Sequence, residues 1–105
     1  MSLKDDLIAA RALIDTPAKW TQKVLARTIG GNAIGPNQAN AVCFCALGAN
    51  QRVTREQDRL DAMTDALEAA LPDDWPNKWI DEFNDHRTTT HEMVLAVYDK
   101  AIASC

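Results

Sequence analysis

Apolar residues recur three and four positions apart at Leu3, Leu7, Ala10 and Ile14, with Ile8 and Leu13 widening the stripe. That spacing predicts an amphipathic helix over residues 3–15. Ser2, with Asp5 three residues later, provides a capped start. Asp15-Thr16-Pro17 ends it, because a residue before proline avoids helical backbone angles, and Thr16 with Pro17 suits the start of a new turn. The same period returns at Leu60, Met63, Leu67 and Leu71 behind a Thr54-Arg55-Glu56-Gln57 capping box, predicting a helix over 55–71. It returns again at Val94, Leu95, Tyr98 and Ile102 behind Thr89-Thr90-His91-Glu92, predicting a last helix. Between these two, Pro72-Asp73-Asp74 is a break. Trp75, Trp79 and Phe83 then predict a short helix over 75–83 with three aromatics along one side.

The helical period is less clear between residues 20 and 35. That stretch reads either as a helix continuing from Pro17 or as a β-hairpin. The β-branched Thr21, Val24 and Thr28, followed by Gly30-Gly31-Asn32, favour a hairpin of about 22–28 paired with 32–35. A lone hairpin is marginal in water, so it must lie on helices, with Trp20 as its anchor. The run from Ala41 to Ala49 is the longest without a charged or strongly polar side chain, and it predicts a central buried helix over about 38–52. Gly48 within that helix costs about 1 kcal/mol against alanine, a cost that a close approach by another backbone would justify. The expected fold is all-α: about five helices in a single domain, 1–105, with a small hairpin around 22–35.

Composition narrows the class. The chain has 105 residues, 47% hydrophobic and 25% charged, ordinary values for a globular domain. A net charge of −4 and scattered basic residues argue against a nucleic-acid partner. No apolar run approaches the roughly 18 residues of a membrane span. Met1-Ser2-Leu3-Lys4-Asp5-Asp6 does not resemble a secretion signal, and three cysteines are an odd number. The expectation is a soluble cytoplasmic protein with reduced thiols.

Candidate chemistry is sparse. On a helix, Cys43 and Cys45 would point about 200° apart, and His86 and His91 are poorly spaced for zinc, so neither a metal nor another cofactor is expected. Cys45 is a candidate nucleophile, with His91 as base and Asn84 or Asp85 as orienter. Against this, a cysteine within an apolar helix is ordinarily core. The polar patch from Asn84 to His91 reads as a hydrogen-bonded loop lock, with a small-ligand site as the alternative. Asp58, Asp61, Asp65 and Glu68 form an acidic stripe that Asp73, Asp74, Asp81 and Glu82 extend, either a solvated face or a dock for a basic protein groove. Trp75 and Trp79 are candidate partner contacts if they are not core.

Three blocks carry a resemblance: residues 12–22, the core Cys43-Phe44-Cys45-Ala46-Leu47-Gly48-Ala49, and Phe83-Asn84-Asp85 with Val94-Leu95-Ala96 and Asp99-Lys100-Ala101-Ile102. Together they resemble a family of small uncharacterised proteins of bacteria and their phages. Phe83 stands where tryptophan is expected. The resemblance implies a mostly helical fold without an assigned activity, and marks Cys45, Gly48, Asn84 and Asp85, with His91, as signature positions. The leading expectation is a small non-enzymatic interaction or accessory protein with an unknown protein partner, phage- or defence-related, and capable of forming a homodimer. The alternatives are a thiol enzyme using Cys45 and a ligand-binding module at Asn84–His91.

Overall fold

The computed structural model describes residues 2–105. The first helix, α1 (Leu3–Leu13), starts as expected, with Ser2 Oγ accepting the Asp5 N–H at 3.1 Å. It ends two residues early at the Ile14 C-cap. A 3-10 turn over Pro17–Lys19 follows, and Thr16 precedes it without a side-chain cap.

The hairpin forms where the turn residues put it. Strand β1 (Ala26–Arg27) pairs antiparallel with β2 (Ala33–Ile34), and Gly31 occupies the turn at a positive φ. The helical alternative for 20–35 is therefore ruled out. A third strand, β3 (Cys43–Phe44), lies on the other side of β1, giving the order β2-β1-β3. Trp20 bridges Phe44, and the Thr21 N–H donates to the Phe44 carbonyl.

That third strand corrects the helix expected over 38–52. Residues 35–41 remain in turns, and the chain then runs along β1, with the Val42 N–H donating to the Arg27 carbonyl at 2.9 Å. Helix α2 begins only at Ala46 and runs to Val53. An apolar run has no built-in period, and here its first half satisfies the open edge of β1 while its second half forms the helix. Gly48 sits where the close approach was expected. A Cβ there would lie 1.9 Å from the Leu25 carbonyl oxygen, which also accepts the Cys45 N–H.

The next two helix starts also need correcting. Thr54 is the C-cap of α2, and its hydroxyl accepts the Glu56 N–H, so α3 (Gln57–Ala69) begins at Glu56 without a side-chain cap. The helix expected over 75–83 is α4 (Ile80–Asp85). Asn77 Oδ1 accepts both the Trp79 N–H and the Trp75 indole N–H, which holds 75–79 in a turn. The carboxylate of Glu68, reaching over from α3, accepts the Ile80 N–H at 3.0 Å. The aromatics therefore do not share one helix side. Phe83 is fully buried, Trp75 is partly buried, and Trp79 is 59% exposed.

The final helix, α5 (His91–Ala103), starts from Thr90, whose hydroxyl accepts the Met93 N–H while the Met93 sulfur accepts the Thr90 N–H. The core gathers Leu7, Ala10 and Ile14 with Ala46 and Ala49, Met63 and Leu67, Ile80 and Phe83, and Val94, Val97 and Tyr98. Helix α2 packs against α1, α3, α4 and β3, so the shortened helix still holds the central place. Among the described residues no helix is long and apolar enough to cross a membrane.

Candidate functional site

Asn84 is 1% exposed and ties separate parts of the chain together. Its Oδ1 accepts the Trp20 indole N–H at 2.8 Å and the Ala46 N–H, the first free donor of α2, at 3.1 Å. Its Nδ2 donates to the Thr21 carbonyl and to Asp85 Oδ1. The Gln22 amide donates to the carbonyls of Asn84 and His86, and Asp85 Oδ1 also accepts the N–H of Lys23. Lys23 has a φ of 78°, a conformation L side chains rarely adopt. The Asn84 end of the polar patch is thus a lock that fixes the 20–23 segment and the start of α2 against α4.

Cys45 caps α2, its sulfur accepting the Gly48 N–H at 3.3 Å. It is 7% exposed. Burial pushes its thiol pKa up, and the negative charge of Asp85 adds to the rise. His91 sits in the first turn of α5, its Nε2 2.6 Å from the Ile14 carbonyl, which can only accept; Nε2 therefore carries the proton. Its ring lies 6.0 Å from that of Trp20. Asn84 and Asp85 are thus brought to the Cys45 end of α2, while His91 is committed to the end of α1. Tyr98, fully buried, places its hydroxyl 2.6 Å from Asn50 Oδ1 and 3.1 Å from the Ala46 carbonyl, and burial holds its pKa well above the usual phenol range. Asn50 Nδ2 and Thr89 Oγ1 are buried without a partner.

The outer side of α4 borders a cleft of about 410 Å³ lined by Trp75, Pro76, Asn77, Asp81, Glu82, Asp85 and His86. Its wall carries the rings of Trp75 and His86, edge-on to each other at 5.1 Å, and the buried Phe83 backs Trp75 edge-on at 5.0 Å. Its charges are all acidic. Among the described residues, no group of three or more His, Cys, Asp or Glu is placed to hold a metal. An aromatic face beside unneutralised carboxylates is the chemistry that takes an ammonium or guanidinium group.

The acidic stripe is only partly available. Asp58, Asp61 and Asp65 are exposed on α3, with Asp61 accepting from the Gln57 amide, whereas Glu68 is spent on capping α4. Trp79 stands exposed at the start of α4, and Trp75 lines the cleft. Sequence reasoning missed Pro76 and Asn77 as cleft residues, whereas Asp85 and His86 fall within the Asn84–His91 patch it offered as a ligand site. The signal was the misplaced helix: moving its start from 75 to 80 turns residues 75–79 into a wall facing α4.

The fold and site define a small helical protein with a three-stranded sheet, a buried asparagine lock and an acidic, aromatic-walled cleft. The chain belongs to a family of unknown function, DUF6197, whose model matches residues 1–104. No curated protein and no solved structure matches it.

Proposed function

We propose that this is a small interaction protein that binds a basic segment of a partner protein, seating a lysine or arginine side chain in the cleft between α4 and the 75–79 turn. The observation that carries this reading is the cleft's composition: Trp75 and Pro76 beside Asp81, Glu82 and Asp85, with no lysine or arginine in the lining. Several carboxylates elsewhere are instead paired within the fold, Asp6 and Glu56 with Arg59, and Asp99 with Arg11. Asp58 and Asp65 extend the negative field across α3 and would steer a basic partner. The resemblance to proteins of bacteria and their phages suits a small, partner-directed role.

Calorimetric titration with a short amidated Arg/Lys peptide tests this. Binding should weaken as salt rises and fall about tenfold or more in Trp75→Ala. The double charge reversal Asp81→Lys/Glu82→Lys should abolish it. Free arginine binding as tightly as the peptide would make the cleft a small-ligand site instead. Peptide binding unaffected by these changes would refute the cleft.

A further inference from the structure

His86 stands in the cleft wall, and the hydrogen bonds around its ring show where its proton sits. The His86 Nδ1 lies 3.2 Å from the Thr88 backbone N–H, which can only donate, and 2.8 Å from the Thr88 hydroxyl. Nδ1 therefore carries a lone pair, and the neutral ring holds its proton on Nε2. The ring is fixed by its surroundings. Its edge-on contact with Trp75 is at 5.1 Å and 89°. The His86 carbonyl accepts from the Gln22 amide and from the Thr89 N–H.

We propose that His86 is the proton switch of this cleft: neutral, it leaves the carboxylates to a cationic occupant, and protonated, it supplies the cation itself. The proposal rests on the basic-segment reading of the same site. Protonation at Nδ1 breaks the bond from the Thr88 N–H and leaves the Thr88 hydroxyl as the new acceptor. It also places a positive charge on a wall that Asp81, Glu82 and Asp85 of α4 share. The other charged groups around His86 are Lys78 within the 75–79 turn, Lys23 on the segment held by Asp85, and the adjacent Arg87. All three are exposed, and none lines the cleft. Glu68 of α3 is engaged by the Ile80 N–H. The remaining histidine, His91, is bonded to Ile14 at the start of α5. Acidification should therefore release a basic partner.

The test uses the full chain and the same amidated Arg/Lys peptide, titrated at about pH 7.5 and about pH 5.5, within the interval where histidine as a class titrates. Each protein is scored by the ratio of its own two dissociation constants, with folding checked by circular dichroism. Wild type should bind at least about threefold more weakly at the lower pH, since a unit charge screened by solvent acts on the occupant. His86→Gln keeps an acceptor for the Thr88 N–H and cannot titrate, so it should bring that ratio close to one. His91→Gln should leave it as in wild type. Wild-type binding equal at both pH values would overturn the switch while leaving the basic-segment reading in place. So would a His86→Gln protein that keeps the full ratio. Absence of binding at either pH would overturn the basic-segment reading itself, and the switch with it.

Discussion

Asn84, Gly48 and Cys45 meet where α2 begins, and each has a separate physical job. The Asn84 amide oxygen satisfies two buried donors, the indole of Trp20 and the N–H of Ala46. Asn84→Ala strands both, and urea unfolding should show a loss of about 2–4 kcal/mol, since each unsatisfied buried donor costs about 1–3 kcal/mol. Gly48 leaves no room for a Cβ against the Leu25 carbonyl. Gly48→Ala should cost at least about 3 kcal/mol, or leave no cooperative transition at all. Cys45 has a raised pKa and a buried sulfur. On brief iodoacetamide treatment of native protein, followed by peptide mass spectrometry, the exposed Cys105 should be alkylated and Cys45 only after unfolding. Rapid native alkylation of Cys45 would favour the thiol-enzyme reading. Sequence reasoning picked out all three of these residues. Which atoms Gly48 and Asn84 would meet was not legible, because their partners, Leu25 and Trp20, lie at least 20 positions away along the chain.

At the scale of elements, the periodic helices were legible and the capped boundaries less so. Helices α1, α3 and α5 show clear apolar stripes; α1 and α3 formed within two residues of their expected ends, and α5 formed behind the Thr89-Thr90 stretch expected to start it. Helices α2 and α4 took their starts from tertiary partners that no local pattern encodes: the free edge of β1 for one, the Glu68 carboxylate for the other. Glu68→Gln should shift the thermal midpoint downward only slightly, since an amide oxygen still accepts the Ile80 N–H. Helices α1 and α3 are joined more strongly, by Asp6 with Arg59. The two side chains form paired bonds of 2.7 and 3.0 Å, and Arg59 lowers the Asp6 carboxyl pKa from its usual value. A carboxyl whose folded pKa lies below its unfolded one adds stability that is complete above the unfolded value. That stability is lost as pH falls through the folded one. Asp6→Asn should therefore lose about 2 kcal/mol at neutral pH and converge on wild type in strong acid. Urea midpoints measured at about pH 7 and about pH 2.5 should show the deficit shrinking in acid; an equal deficit at both would refute the linkage.

For the molecule as a whole, the fold leaves its acidic groups in two conditions. Asp6, Glu56, Asp99 and Glu68 are consumed by arginines or by a helix start. Asp58 and Asp65 on α3 and Asp81 and Glu82 on α4 stay exposed. The acidic face was legible from spacing. The cleft beside α4 was not, because it depends on the turn that Asn77 imposes on residues 75–79. The central claim is that this cleft receives a basic side chain. Chemical-shift mapping on uniformly nitrogen-15-labelled protein, titrated with the amidated Arg/Lys peptide at low salt, addresses it most directly. The expected result is saturable movement of the Trp75 indole N–H and of the Asn77, Asp81, Glu82 and His86 amides, with the α1 and α5 signals still. Movement confined to the α3 stripe around Asp58 and Asp65, or none anywhere, would contradict it.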